Sequence, residues 1–377
     1  MKKLFIISNE SVFNNNGSFF CDNLDMKSTP EGLNQKFEVN IIARESKKER
    51  SHKINIKNIA VCRSIFSYVL NIFRSFKEKN SKYLLVSITP YTVVAAILIK
   101  LFKKKSSVFL RSDGFGEYKA IIGFLGPLIY QLMFFSISRL SSLVSCRKYI
   151  LRGKKGDIVE PSQLTEKWFQ NLKEANLSKI LLLYVGRIKI EKGIFSLIDL
   201  FKKIPEGKSL LIVGAEKNFK LNNLSENIGI KEIEPNEERL MSLYDQSSIF
   251  ILPSFTEGHP MTLLEALSRN RPVIIFEEIE HVIGKKKGVF VSKRNSEDLN
   301  KTINYIIENY QTIQQELKIN DLPTKDKFLK NMSIAIENNY LKIFLNLKRI
   351  INIIIFIAKI DVERKLCVIF DSPFLLK

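Results

Sequence analysis

The residues best suited to chemistry are concentrated in one stretch, Pro253-Ser254-Phe255-Thr256-Glu257-Gly258-His259-Pro260-Met261-Thr262-Leu263-Leu264-Glu265-Ala266. Two carboxylates, Glu257 and Glu265, bracket a turn with seven residues between them. Carboxylates accept hydrogen bonds from vicinal hydroxyls and so can hold sugars or riboses. The apolar run 249–252 leads in as a buried parallel strand, and Leu263, Leu264 and Leu267 then fall at helical spacing. Strand, tight turn and helix start together offer free backbone N–H groups to an anion. Pro260 suits the first helical position, since it has no N–H to leave unsatisfied. Glu257 is expected at the strand's carboxyl end, where open α/β sheets bind ligands. A phosphate over the helix start with sugar hydroxyls on either side is one reading. The other is an ordinary βα turn in which Glu265 only complements the helix dipole.

A second pair, Arg187 and Lys192, stands five positions apart in Gly186-Arg187-Ile188-Lys189-Ile190-Glu191-Lys192-Gly193. This loop follows the apolar strand 180–185, so its cations come to the same sheet edge as Glu257. A guanidinium fork and an ammonium can neutralise a diphosphate. Taken with the glutamates, they point to a nucleotide-sugar.

These sites need a scaffold, and the chain has length for two domains at 377 residues and 45% hydrophobic content. Lys and Arg number 59 against 39 Asp and Glu, a net charge of +20 that favours an anionic partner. Cys21, Cys62, Cys146 and Cys367 show no paired spacing and fit a reducing compartment without a zinc or redox site. The apolar piece at the start is too short for a signal-peptide core, which points to a cytoplasmic protein.

Strands at 4–7, 37–43, 83–88 and 107–110 alternate with helical patterns at 64–76 and 93–101. Such alternation predicts a doubly wound parallel sheet. The polar loop 14–20, with Gly17 and Ser18, is placed at its carboxyl edge, as is Asp113 in Arg111-Ser112-Asp113-Gly114. For Asp113 the competing role is a turn-forming Asp-Gly. Residues 120–138 carry no charge. They read as an apolar helix pair against a bilayer with Lys119 and Arg139 at its margins, as a buried core helix, or less readily as a span. Strands at 140–145, 210–213 and 273–276 and helices at 194–203, 237–245, 297–309 and 327–344 complete the pattern.

Gly186-Arg187, Glu191-Lys192-Gly193, Pro253-Ser254, Glu257-Gly258 and Leu264-Glu265-Ala266 resemble the retaining GT-B glycosyltransferases, and among them family 4, the glycosyl transferases group 1 domain. The resemblance covers about 180–275; the first domain matches only in its strand-helix pattern. It implies two Rossmann-like doubly wound domains facing a central cleft. Residues 1–160 would be the acceptor domain and 161–323 the donor domain. A helix over 324–345 would cross back to the first domain, and 346–377 form a tail of unassigned role. Arg187 and Lys192 would then hold the diphosphate, Glu265 the ribose and Glu257 the transferred sugar. Gly258, His259, Met261 and Thr262 fall where the family's loop and helix amides meet phosphate and sugar. Many members carry a histidine near the reacting carbon. Here there are only His52, His259 and His281, and the matching region reads Ser112-Asp113. That departure bears on the acceptor-side assignments, Asp113, Gly17 and Ser18, more than on the reaction class.

The expectation is a retaining transferase moving a sugar from a nucleoside diphosphate sugar to an acceptor hydroxyl in bacterial polysaccharide or lipopolysaccharide synthesis. No Asp-x-Asp motif is present, so neither a metal nor another cofactor is called for. A saccharide or lipid-linked saccharide acceptor and an anionic inner-membrane surface are the expected partners. Two alternatives are a nucleotide-sugar epimerase or hydrolase of the same architecture and a basic nucleic-acid-binding protein. The latter lacks any recognition helix or aromatic platform.

Overall fold

The computed structural model describes residues 1–338 except 217, 218, 220, 222 and 223, in two compact units. The first comprises residues 1–160 and 327–338; the second is Pro161–Asp326. The apolar segment 349–360, the end 370–377 and the part of the terminal helix expected beyond 338 lie outside the described residues.

In the first unit, β1 (Lys2–Asn15), β3 (Phe37–Glu45), β5 (Asn58–Cys62), β6 (Lys82–Val86), β7 (Ser106–Leu110), β8 (Ser142–Ser145) and β9 (Gly156–Ile158) are all parallel. They lie in the order β5-β3-β1-β6-β7-β8-β9. Their apolar runs are buried on both faces, as Leu4, Ile6, Ile7, Leu84, Leu85 and Val108 show. Helices α1 (Leu24–Leu33), α2 (Ile65–Ser75) and α3 (Pro90–Leu101) connect them. Thr89 and Thr92 close a capping box at the head of α3, with Pro90 at its first position.

Two details differ from the sequence expectation. Residues 14–20 are not a loop between strand and helix. The first strand continues to Asn15 and returns as β2 (Ser18–Cys21), pairing Phe13 with Phe20 across a hairpin. Asn16 and Gly17 take positive φ of 47° and 85° at the tip, the asparagine-glycine turn that matches strand twist. His52, in a stretch to which the sequence pattern assigns no strand, opens β4 (His52–Ile54), which pairs with β2 opposite Cys21.

The uncharged stretch 120–138 divides between α4 (Gly114–Ile122) and α5 (Gly126–Leu140). Tyr130, Met133, Phe134, Ile137 and Leu140 face the core, so α5 is anchored by one side. The other side leaves Leu128 59%, Leu132 48% and Phe135 49% exposed, which excludes a fully buried core helix. Among the described residues no helix is long and apolar enough to cross a membrane.

The second unit is a six-stranded parallel sheet in the order β12-β11-β10-β13-β14-β15. The strands are β10 (Ile180–Val185), β11 (Lys208–Ala215), β12 (Ile228–Glu232), β13 (Ile249–Leu252), β14 (Val273–Phe276) and β15 (Val289–Ser292). Around them lie α6 (Ile194–Phe201), α7 (Glu237–Gln246), α8 (Met261–Ser268), α9 (Ser296–Glu308) and α10 (Tyr310–Leu317). Strands β12 and β15 and helix α10 had no sequence expectation. The final helix, α11 (Lys325–Glu337), sends Phe328, Met332, Ala335 and Ile336 into the first unit's core.

Candidate functional site

The carboxyl ends of β10 and β13 are neighbours, because Leu182 pairs with Ile249 and Leu183 with Phe250. Their loops therefore meet, and glycines let them meet closely. Gly193 sits at φ +67°, and a Cβ there would lie 1.9 Å from the Pro253 carbonyl oxygen. Gly214, at φ +136°, backs onto Gly186 in the same way, with 1.9 Å left for a Cβ. Only a residue without a side chain fits either junction.

The contact between these loops joins the two predicted charges. Lys192 Nζ lies 2.6 Å from Glu257 Oε1, and the Ser254 hydroxyl donates to the same oxygen at 2.7 Å. Their side chains are 22% and 11% exposed, so this is a partly dehydrated pair rather than a surface contact. The Glu257 carbonyl accepts from His281 Nε2 at 2.8 Å, which requires that nitrogen to carry the proton. Phe255 N–H donates to the Glu191 carbonyl at 3.0 Å, tying the segment to the β10 loop once more.

Arg187 is exposed, and its guanidinium makes no hydrogen bond or ion pair among the described residues. Its carbonyl accepts from the Tyr184 hydroxyl at 3.0 Å, which fixes the backbone from which it projects. The Arg187 guanidinium is thus available to an anionic ligand.

Helix α8 begins at Met261, one residue later than expected, with Pro260 in the cap position at φ −72° and ψ 116°. No side chain caps it. The first-turn amides of Met261 and Thr262 are thus left to a ligand or water. His259 donates from Nε2 to the Pro161 carbonyl at 2.8 Å, bracing the turn that contains Gly258. Glu265 follows one turn into α8, where Oε2 accepts from the Tyr244 hydroxyl at 2.7 Å. Burial pushes the Glu265 carboxyl up to about 7, against the stabilising Tyr244 hydrogen bond. The residue as a whole is not fully buried.

Below the site, Arg269 grips Asp245 through Nε–Oδ1 at 2.9 Å and Nη2–Oδ2 at 2.7 Å. It also donates to the Trp168 and Gln170 carbonyls at 3.1 and 2.7 Å. This buried pair fixes the end of α7, which carries Tyr244, against the end of α8.

Asp113, Gly17 and Ser18 belong to the first unit. Asp113 caps α4, accepting from Phe115 N–H at 3.3 Å, and receives Arg152 Nη2 at 3.1 and 3.2 Å. Gly17 and Ser18 lie at the β1–β2 hairpin, where Gly17 N–H donates to Asn14 Oδ1 at 3.0 Å. The structure thus gathers Arg187, Lys192, Glu257, Gly258, His259, Met261, Thr262 and Glu265 in one unit, and adds Tyr244, Ser254 and His281. Ser254 stood inside the motif, but nothing in the sequence marked Tyr244 or His281. Among the described residues no three His, Cys, Asp or Glu side chains converge as a metal cage.

Residues 165–320 match the family described as Glycosyl transferases group 1. An uncharacterized glycosyltransferase of Haemophilus influenzae is 28% identical over 151 residues, which is 36% of this chain and 42% of the relative. The chain therefore spans less than half the length of that relative. Anabaena HepE, solved with UDP and glucose, superposes with a TM-score of 0.63 at 12% identity, covering 90% of this chain and all (100%) of the other. The lipopolysaccharide outer core galactosyltransferase WaaB, in its apo form, gives 0.61 at 15% identity, covering 89% and 99%. At such identities the likeness shows the fold alone, which is that of the GT-B glycosyltransferases; the family match at 165–320 falls within the second unit.

Proposed function

We propose that this protein is a retaining glycosyltransferase that moves a sugar from a nucleoside diphosphate sugar to an acceptor hydroxyl. The observation that carries the reading is the sheet edge where Arg187, Lys192, the uncapped α8 start, Glu257 and Glu265 lie together. The α8 amides and the two cations neutralise the diphosphate, and their work increases as charge builds on the leaving group. No divalent ion or other cofactor is required for this. Glu265 holds the ribose hydroxyls. Glu257, steadied at one oxygen by Lys192 and Ser254, uses its other oxygen on the transferred sugar.

In the step itself, the bond between the anomeric carbon and the phosphate oxygen breaks as the acceptor oxygen bonds that carbon on the same face. The hydroxyl proton passes to the departing phosphate oxygen, so no enzyme nucleophile is needed. Asp113, Gly17 and Ser18 are assigned to the acceptor side. The UDP and glucose complex of the structural neighbour HepE supports the donor assignment. The galactosyltransferase WaaB supports a place in bacterial cell-surface polysaccharide or lipopolysaccharide synthesis.

A peripheral position on the anionic inner face of the membrane, with a lipid-linked saccharide acceptor, completes the reading. It is supported by Ile121, Phe124, Leu125, Leu128, Leu132 and Phe135, all exposed along α4, α5 and the turn between them, and by Lys119 and Arg139 beside them. The test is product analysis with each of UDP-glucose, UDP-galactose, GDP-mannose and UDP-N-acetylglucosamine, with and without a membrane lipid extract as acceptor. A glycolipid whose anomeric configuration equals the donor's is expected. Donor turnover independent of any acceptor, or an inverted product, overturns it. Flotation with anionic and neutral liposomes separates membrane binding from catalysis.

A further inference from the structure

One buried cation near the site has no part in the mechanism above. Arg294, two residues beyond β15, is only 15% exposed at its side chain. Its guanidinium stacks between two rings, 4.1 Å from the centroid of Phe255 and 4.2 Å from that of Phe276. In its plane it forks onto Glu278, Nε to Oε1 at 2.7 Å and Nη2 to Oε2 at 3.1 Å. The same Nη2 donates to the Pro253 carbonyl at 3.0 Å and reaches the Ser254 carbonyl at 3.5 Å. A Cβ on Gly193 would lie 3.3 Å from its Nη1, so Arg294 touches the junction of both loops.

The geometry explains why an arginine stands there. The Pro253 and Ser254 carbonyls emerge from the end of β13 with no strand to receive them, and a planar donor inserted edge-on reaches them, bonding Pro253 more closely. Phe255, 42% exposed, covers one face of that plane from the solvent side. Glu278 neutralises the charge, and its hydrogen bond from Arg294 holds its carboxyl below the usual range. Glu278 belongs to the short turn 277–282, which also supplies His281 to the Glu257 carbonyl. Segment 253–257 is therefore gripped at both ends by one turn, through Arg294 at Pro253 and through His281 at Glu257.

We infer that Arg294 and Glu278 are positioning residues that aim Glu257 at the transferred sugar by clamping the backbone of residues 253–257. The inference rests on the glycosyltransferase reading for its consequence and on the contacts above for its geometry. Neither side chain touches the nucleotide positions assigned to Arg187 and Glu265. Loosening the clamp is thus expected to damage sugar transfer while sparing nucleotide binding, since a shift of about 1 Å at a reacting group costs on the order of a hundredfold in rate.

The experiment compares wild type, Arg294→Lys and Glu278→Gln, each checked for folding by near-UV circular dichroism. Lysine keeps the charge but cannot fork, stack and donate at once. The readouts are kcat and KM with the nucleotide sugar that wild type consumes, Kd for the matching nucleoside diphosphate, and hydrogen exchange across 254–258. Expected for Arg294→Lys are a kcat lower by tenfold or more, a nucleoside diphosphate Kd within threefold of wild type, and faster exchange in 254–258 but not in α8. Glu278→Gln should move the same readouts in the same direction, less far. Wild-type kcat and unchanged exchange in Arg294→Lys overturn the clamp, as does an equal loss of nucleotide binding and turnover. Absence of nucleotide binding and of sugar transfer by wild type itself overturns the transferase reading, and the clamp's role falls with it.

Discussion

Replacing Tyr244 with phenylalanine removes one oxygen atom and nothing else of consequence. The ring is fully buried between Trp168 and Phe250, with centroids 5.8 and 5.5 Å away, and phenylalanine keeps those contacts. What is lost is the hydroxyl that donates to Glu265 Oε2 at 2.7 Å. A hydrogen bond to a charged group is worth about 1.5–3 kcal/mol, which at ~1.36 kcal/mol per pH unit raises the carboxyl by about 1–2 units. Glu265 would then titrate at about 8–9 instead of about 7. At pH 7.5 its ionised fraction would fall by about three- to twenty-five-fold. Protonation turns one oxygen into an O–H donor and a poor acceptor, so a pair of ribose hydroxyls is held less well. Calorimetric titration with UDP between pH 6 and 10 should show Tyr244→Phe weakened near neutrality and recovering by pH 10.

The same variant makes a prediction for stability. Glu265's carboxyl is raised on folding from 4.5, so its contribution is complete below that value and is lost as pH rises through about 7. In Tyr244→Phe the loss should continue to about pH 8–9. A variant whose binding and stability profiles run parallel to wild type at every pH refutes the reasoning.

Other substitutions probe the scaffold. Gly193→Ala places a Cβ against the Pro253 carbonyl and should cost well over the about 1–2 kcal/mol of the left-handed backbone alone; Gly207→Ala, at φ +88° with nothing within 4 Å, should cost only the latter, both read by urea denaturation. Asp245→Ala strands the Arg269 guanidinium where its side chain is 3% exposed and should destabilise by about 3–5 kcal/mol in the same assay. A loss below ~1 kcal/mol would mean the Trp168 and Gln170 carbonyls suffice for that charge.

How much of this was legible in the sequence follows from which signals are local. The strands ending at Val185 and Leu252 are short apolar runs buried on both faces, and an uninterrupted apolar run states that directly. Glu257 and Glu265 announce themselves by spacing, and Arg187 and Lys192 by following a strand. The Lys192–Glu257 contact was not legible, because its two loops are 65 residues apart and meet only through parallel pairing. Arg294 and Tyr244 are ordinary residues by type and act only through tertiary neighbours. Strand β15, which delivers Arg294, has only three apolar residues before Ser292, a shorter run than the four of β13 or β14. The hairpin at Asn16-Gly17 did carry its turn signal. The polar residues around it masked the strand alternation that Phe13 and Phe20 share.

The central claim is that the second unit binds a nucleoside diphosphate sugar through Arg187 and Glu265. Its most direct test is isothermal titration of the full chain with UDP-glucose, UDP-galactose, UDP-N-acetylglucosamine and GDP-mannose, repeated on Arg187→Ala and Glu265→Ala. The account predicts selective binding for one nucleotide base in wild type, and at least a tenfold weaker Kd in each variant. Binding of none of these donors, or equal binding by wild type and both variants, contradicts it.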